Sequence, residues 1–365
     1  MPGRVIYKTF FIFSFKHPIK LHSKKTTVGN STVLEIPHKI EVLELMNQGK
    51  RVVLGLPSVA RRTGIVMEGE MLFAFKNSLL NFGIDPLVVD TATHSNNPEI
   101  SQKRIMTAMQ DFEAELLVIQ GDSMLSDTLF SEPFVRQIRE KGIAIVVDLV
   151  DCFVSRNGQR VVDFYVERAD FLICHNSRLL LNGRFDENFL LWPSLPYPES
   201  YFFERHVSRK SIDLLIPGSE HRGRNYYVEH ARKYNLPLKD GLFSKSDTSA
   251  TSFSYSDYVN SLCSAKLLFT NGYKNRFESQ VIGRVTESLL AKSTLLYESG
   301  SDIEAFLVPY EDFVPVSNLN DFEEKVRFLL DNPVVAEHIS TRGLKTMTEK
   351  YSTKHFWEYV FRKVT

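Results

Sequence analysis

The sequence predicts an α/β protein built as two Rossmann-like domains facing across a cleft. Short apolar runs such as RVVLGLP (51–57) and IAIVVDLVD (143–151) alternate with stretches of helical spacing. Runs that are apolar on both faces read as strands of a parallel sheet covered by helices. The alternation breaks at 193–210, which carries three prolines, and then restarts. The chain has 365 residues, more than the roughly 100–200 of an ordinary single domain.

Residues 1–49 are the least regular part. TFFIFSF (9–15) reads as a buried strand, 16–30 as a basic loop and 39–48 as a short helix. The apolar run at 9–15 is far below the ~20 residues that span a bilayer, and no small-residue cleavage site follows it closely, so it does not read as a signal peptide. From 51 the order is strand 51–57, helix 68–83 closed by Gly83, strand 85–91, helix 99–112, strand 114–121, helix 132–142 closed by Gly142, and strand 143–151. Helix 159–169, strand 170–177 and a last short strand within 187–196 complete the first half. The second half reads as strand 211–217, helix 223–235, helix 254–265, strand 266–272, helix 283–292 and strand 293–298. A turn and strand follow within 303–316, then helices 320–333, 333–347 and 352–364. The boundaries follow: a first domain 1–195, a linker 196–210, a second domain 211–351 and a closing helix 352–365.

Composition narrows the function. Lys plus Arg equal Asp plus Glu at 44 each, so no global field draws the chain to nucleic acid or anionic lipid. Cys152, Cys174 and Cys263 are scattered and odd in number; they show no metal-ligand spacing and fit a reduced, cytoplasmic compartment. No G-x-G-x-x-G follows a strand, which disfavours a nicotinamide enzyme.

Open parallel sheets bind ligands beyond the carboxyl ends of their strands, so residues just after each strand are the candidates. After strand 211–217 comes GSEHRGR, with Gly218, Ser219 and Arg222 ahead of a helix and Arg224 adding a second charge. A tight turn, a helix N-terminus and fixed cations suit a diphosphate, although a solvated basic turn has the same look. After strand 266–270 comes TNGYKNRFESQ, in which Asn271 could line a pocket. The helix GRVTESLL then opens with Gly283, Arg284 and Glu287. Residues three apart share a helical face, so Arg284 and Glu287 form either an ion pair worth about 0.3–0.5 kcal/mol or a ligand grip. A carboxylate can take two hydroxyl hydrogen bonds, as from a ribose.

In the first half, PSVARRTG (57–64) reads as a loop in which Arg61, Arg62, Thr63 and Gly64 open a helix and could touch a donor phosphate or an anionic acceptor, with a basic surface turn as the equal alternative. VVDLVDCF (146–153) and LICHNS (172–177) put Asp148, Asp151 and His175 at strand ends. Any of the three could serve as a general base, with Asp151 favoured. Asp148 is equally at home as a turn-capping carboxylate and His175 as a buried structural histidine. Two carboxylates without a third ligand make a poor cation site, so no metal is expected.

The second half resembles the C-terminal half of GT-B glycosyltransferases, in particular a spore-maturation-type branch with a glycosyltransferase-family-1-like C-terminal domain. The resemblance rests on the order IPGSEHR, DYVNSLCSAKLLFTNG, GRVTESLLAKSTLLYE, IEAFLVPYEDFVPV, DFEEKVRFLLDNP, EHISTRGLKTMTEKYS and KHFWEYVF, covering roughly 150 residues. It implies that Glu287 holds the donor ribose, that Arg284 and the Gly218–Arg222 turn face the diphosphate, and that the last helix crosses back to the first domain. It implies no cofactor beyond a nucleotide-diphosphate sugar as co-substrate, no metal, and a glycan or lipid-linked cell-envelope acceptor handled by the first domain. Nucleic acid is not an expected partner, and peripheral contact with the inner membrane face stays open. Many retaining members carry two glutamates eight residues apart; here Ser279 takes the earlier position and Glu278 is one residue off. A nucleotide-sugar epimerase or hydrolase, or a non-catalytic nucleotide-sugar-binding protein, would share the same donor residues.

Overall fold

The computed structural model describes residues 49–364 except 57–58, 63–64, 69, 92–97, 122–128, 150–161, 176–187, 220–221, 244–253, 273–280 and 301; the side chains of 59–68, 70, 219, 222 and 240–243 are also outside the description. The expectations for 1–48 therefore lie outside the described residues.

In the first half, strands β1 (Val52–Leu56), β4 (Leu87–Asp90), β5 (Leu116–Gln120), β6 (Ala144–Leu149), β7 (Phe171–Cys174) and β8 (Phe189–Leu191) form one sheet in the order β4-β1-β5-β6-β7-β8. Every pairing in it is parallel. Helices α1 (Glu70–Asn81), α2 (Pro98–Asp111) and α3 (Glu132–Arg139) connect the strands, and 162–166 is helical ahead of β7. A short helix α4 (Glu199–Phe203) lies within the proline-bearing stretch.

The second half forms a second parallel sheet, in the order β10-β9-β11-β12-β13. Its strands are β9 (Ile212–Ser219), β10 (Leu238–Phe243), β11 (Ala265–Thr270), β12 (Thr294–Glu298) and β13 (Val314–Val316). Helices α5 (Arg222–Lys233), α6 (Tyr255–Cys263), α7 (Gly283–Leu290), α8 (Leu319–Asp331), α9 (Pro333–Lys350) and α10 (Thr353–Val364) cover it and close the chain.

Two expectations are corrected. Arg61 and Arg62 do not lie in a loop opening a helix. Strands β2 (Val59–Arg62) and β3 (Ile65–Glu68) pair antiparallel, with Arg61 opposite Val66 and Arg62 opposite Ile65. A Gly-containing dipeptide between two runs with β-branched residues is a hairpin signal, and here it outweighs the helix-opening reading of Arg-Arg-Thr-Gly. Arg61 and Arg62 thus sit in a strand, and Thr63 and Gly64 fall outside the described residues. Strand β10 had no counterpart in the sequence reading. It is an edge strand carrying Lys239, Asp240 and Gly241, and edge strands need no apolar run.

Strand alternation decides where the core sits. Successive strand residues point to opposite faces. Val52, Leu54 and Leu56 of β1 enter one hydrophobic cluster and Val53 another. In the second sheet Leu215 and Leu268 enter that first cluster, while Leu214, Ile216, Leu267 and Phe269 enter a third. The inner layers of both sheets therefore merge into one continuous core, and each sheet keeps a separate outer core. Helix α10 seals the shared layer: Trp357 Nε1 donates to Ser78 Oγ at 2.9 Å, and Phe361 stacks on Phe82 at 5.9 Å. The last helix thus packs on residues of α1 and on the segment just after it. Among the described residues no helix is long and apolar enough to cross a membrane.

Candidate functional site

In the second sheet β9 connects outward to β10 on one side, and the chain then returns to β11 on the other. The β9/β11 boundary is thus a topological switch point, where the loops leaving two adjacent strands diverge and open a crevice at the carboxyl edge. Leu215 pairs with Leu268 and Thr270 with Tyr297, so continuing this register puts Gly218, Asn271 and Glu298 in one row along that edge.

Gly218 has φ +116°, a conformation in which a side chain is strained, and a Cβ built there would lie 2.9 Å from Arg224 Nη1 and 3.0 Å from Arg284 Cζ and Nη1. Two guanidinium groups thus converge on one glycine. Arg224 is 1% exposed, and its pKa is lowered to about 9, first by burial and then by the charge of Arg284. Tyr258, Tyr297 and Glu298 partly offset this. Two adjacent cations, one of them desolvated, make a position where an anion relieves repulsion.

Buried polar atoms gather beside them. Thr270 Oγ1, both amide atoms of Asn271, Arg284 Nε and Glu298 Oε2 have no hydrogen-bond partner among the described residues. Unsatisfied buried polar groups are costly and rare in a folded protein, so several at one sheet edge mark a surface prepared for a polar ligand. Burial pushes the Glu298 carboxyl above the ordinary range, while Tyr227, the nearby Asn271 amide and the Arg224 charge pull it back in part.

Arg284 and Glu287 are not paired with each other. Glu287 is 1% exposed; its Oε1 accepts from Tyr255 Oη at 2.8 Å and its Oε2 from Tyr258 Oη at 2.9 Å. Gly283 is the first residue of α7, whose N-cap is Ile282 without a side-chain cap. Ser219 ends β9 and Arg222 begins α5, and neither side chain is described. The structure therefore brings Gly218, Asn271, Arg284 and Glu287 to the edge of one sheet.

Sequence reasoning named Arg224 only as a second charge of the turn after β9, and it missed Glu298, Tyr255 and Tyr258. The signal for Arg224 was its helical phase: Tyr227, Val228 and Ala231 are buried on the same face, which aims Arg224 inward. Glu298 was available from the strand-end rule, as the last residue of β12.

In the first sheet Asp148 and His175 come together, 0% and 4% exposed. His175 Nε2 lies 3.0 Å from Asp148 Oδ1, and Nδ1 lies 2.9 Å from the Trp192 carbonyl oxygen. A carboxylate and a carbonyl only accept, so both ring nitrogens donate and the ring is an imidazolium. Burial lowers its pKa, but the Asp148 charge and hydrogen bond and the Trp192 carbonyl outweigh that, and the net value is raised. Asp148 is committed to this buried pair. Asp151 lies outside the described residues.

Comparison with known proteins agrees with this layout. Residues 202–362 match the family model described as glycosyl transferase-like. That span runs from α4 into α10, so it holds every residue of the second-sheet site. The match is a likeness of this half to that family and does not reach the spore-maturation-type branch. No curated protein sequence matches the chain. Among solved structures, a glycosyltransferase from Rickettsia africae has a TM-score of 0.57 at 10% identity, covering 87% of this chain and 99% of the other. Sucrose-phosphate synthase from Thermosynechococcus elongatus gives 0.56 at 11%, covering 86% and 99%. Anabaena Alr3699/HepE in complex with UDP-glucose gives 0.54 at 10%, covering 86% and 99%. At such identities the likeness is one of fold, and the fold is GT-B.

Proposed function

We propose that this chain, a GT-B fold whose second half matches a glycosyl transferase-like domain, transfers a hexosyl group from a nucleotide-diphosphate sugar to a glycan or lipid-linked acceptor of the cell envelope. The observation that carries the reading is the convergence of Arg224 and Arg284 on Gly218 at the switch point of the second sheet. Transfer requires charge to build on the departing diphosphate, and preorganised cations in a desolvated site lower that barrier most effectively. In this reading the two guanidiniums take the place a metal ion fills elsewhere, and no metal or other cofactor is needed. Glu287 receives the ribose hydroxyls, and Asn271 and Glu298 border the sugar-phosphate. The complexes of Alr3699/HepE with UDP and UDP-glucose support a uridine donor. The acceptor enters from the carboxyl edge of the first sheet, and Asp151, two residues after β6 in the sequence, is the candidate base. Work at the cytoplasmic face of a membrane, by peripheral contact, suits a lipid-linked acceptor.

Thermal unfolding with UDP, GDP, dTDP, ADP and CMP tests the donor site in wild type and Arg284→Gln. A ligand at 100 times its Kd stabilises by about 2.7 kcal/mol. One diphosphate, expected to be UDP, raises the melting temperature of wild type and much less that of the variant. No shift with any nucleotide rejects the reading.

A further inference from the structure

We propose that Tyr255 and Tyr258 are positioning residues for Glu287, and that Tyr255 ties the aim of this carboxylate to the contact between the two halves of the protein. The inference rests on the reading of Glu287 as the group that meets the donor ribose.

A buried carboxylate is costly unless its oxygens are hydrogen-bonded. Here each oxygen takes one phenolic hydroxyl, at 2.8 and 2.9 Å. The tyrosines are three apart on α6, so both hydroxyls come from one helical face. Two bonds to two oxygens fix the plane of the carboxylate, which a single bond would leave free to rotate. A carboxylate oxygen can accept more than one hydrogen bond. The vicinal hydroxyls of a ribose present a donor pair that such a fixed carboxylate can accept together.

The hydroxyl of Tyr255 is not a loose stand-in that a ligand pushes aside. Its ring lies 4.3 Å from the ring of Phe73 and 5.9 Å from that of Tyr201, in a stacked arrangement. Phe73 and Tyr201 meet edge-on at 4.9 Å. Phe73 belongs to α1 of the first half, Tyr201 to α4 between the halves, and Tyr255 to the second half. Three rings from three parts of the chain hold the phenol that holds Glu287. A shift between the halves therefore moves the Tyr255 hydroxyl, and the carboxylate with it.

Calorimetric titration tests this with two probes, UDP and 2′,3′-dideoxy-UDP. The proteins are wild type, Tyr255→Phe, Tyr258→Phe, Phe73→Leu and Glu287→Gln, each full length. UDP affinity falls about three- to tenfold in each Tyr→Phe variant, the worth of one hydrogen bond, and falls in Phe73→Leu as well. With dideoxy-UDP, which lacks the hydroxyls that Glu287 would accept, the same variants bind as wild type does. A purely structural role for the tyrosines would weaken both probes equally, and that result overturns the proposal. Unchanged or tighter UDP binding in the Tyr→Phe variants also overturns it. UDP binding that depends on neither Glu287 nor the ribose hydroxyls removes the underlying reading, and the inference with it. Binding that needs both but ignores the tyrosines sinks the inference alone. If Phe73→Leu alone has no effect, the link to the first half is lost.

Discussion

At Gly218 one residue decides what the sheet edge can hold. Its φ of +116° would strain any side chain, and a methyl group would reach 2.9 Å from one guanidinium and 3.0 Å from the other. Both the turn and the closeness of the cations rest on a missing Cβ. The buried pair in the first sheet shows the opposite economy, in which a cation and an anion satisfy each other. The folded pKa of His175 is raised, so its contribution to stability is complete below the ordinary histidine value of about 6.5 and is lost as pH rises through the higher folded value. His175→Gln is expected to lower stability by about 3 kcal/mol near pH 6, the usual cost of removing one partner of a buried pair. The gap between wild type and variant should narrow at alkaline pH. Melting temperatures of both proteins from pH 5.5 to 9 check this, and a gap that widens with pH would contradict the imidazolium assignment.

Among elements, the helix ends do more than terminate segments. Lys210 Nζ donates to the carbonyl oxygens of Cys263 at 3.0 Å, Ala265 at 2.9 Å and Ala291 at 3.1 Å. These lie at or just past the C-termini of α6 and α7, where carbonyls lack helical partners and the dipole favours a cation. One ammonium thus ties together the helix that carries Tyr255 and Tyr258 and the helix that carries Arg284 and Glu287. Lys210→Met keeps the aliphatic stem but takes this donor from the Cys263 and Ala291 carbonyls, while the Ala265 carbonyl keeps Ser293 Oγ at 2.7 Å. It should cost at least about 2 kcal/mol, since each buried group left unsatisfied costs about 1–3 kcal/mol. Urea unfolding followed by circular dichroism measures it, and a change within 0.5 kcal/mol, the usual size of a neutral surface substitution, would show that water replaces the lysine. Helix α8 shows the same principle at its start: the Asn318 side chain accepts from the backbone N–H groups of Asn320 and Asp321, each at 3.0 Å.

Over the whole molecule, the last helix makes the halves one object. Trp357 is fully buried; it donates to Ser78 and packs on Phe75 at 5.9 Å. Glu199, between the halves, accepts from the backbone N–H and the hydroxyl of Thr353, both at 2.6 Å, and so caps α10 where it begins. The sequence end is thus bonded to the first half and to the connector. Trp357→Ala should cost about 3–5 kcal/mol, as for other large-to-small changes in a core, and should broaden or split the unfolding transition as the shared layer opens. Differential scanning calorimetry separates this from a uniform loss of stability, which would leave a single sharp transition at lower temperature.

The sequence by itself determined the alternating elements and their arrangement as two α/β halves, whereas the crossing last helix came from the family resemblance and Gly218, Asn271, Arg284 and Glu287 stood as candidates. Hydrophobic period and the strand-end rule are local properties, readable without knowing which strands pair. It misread Arg61 and Arg62 as the opening of a helix, because a strand pair and a helix start share the same local residues. It passed over β10, because an edge strand is held by one neighbour and need not be apolar. Only the tertiary structure decided the partners. Glu287 meets tyrosines 32 and 29 residues away rather than Arg284 on its own helix. Arg224, from α5, and Arg284, from α7, are both set against Gly218. Those choices depend on sheet order and helix phase taken together, since a buried charge takes whichever counter-group the packing of distant elements brings within reach.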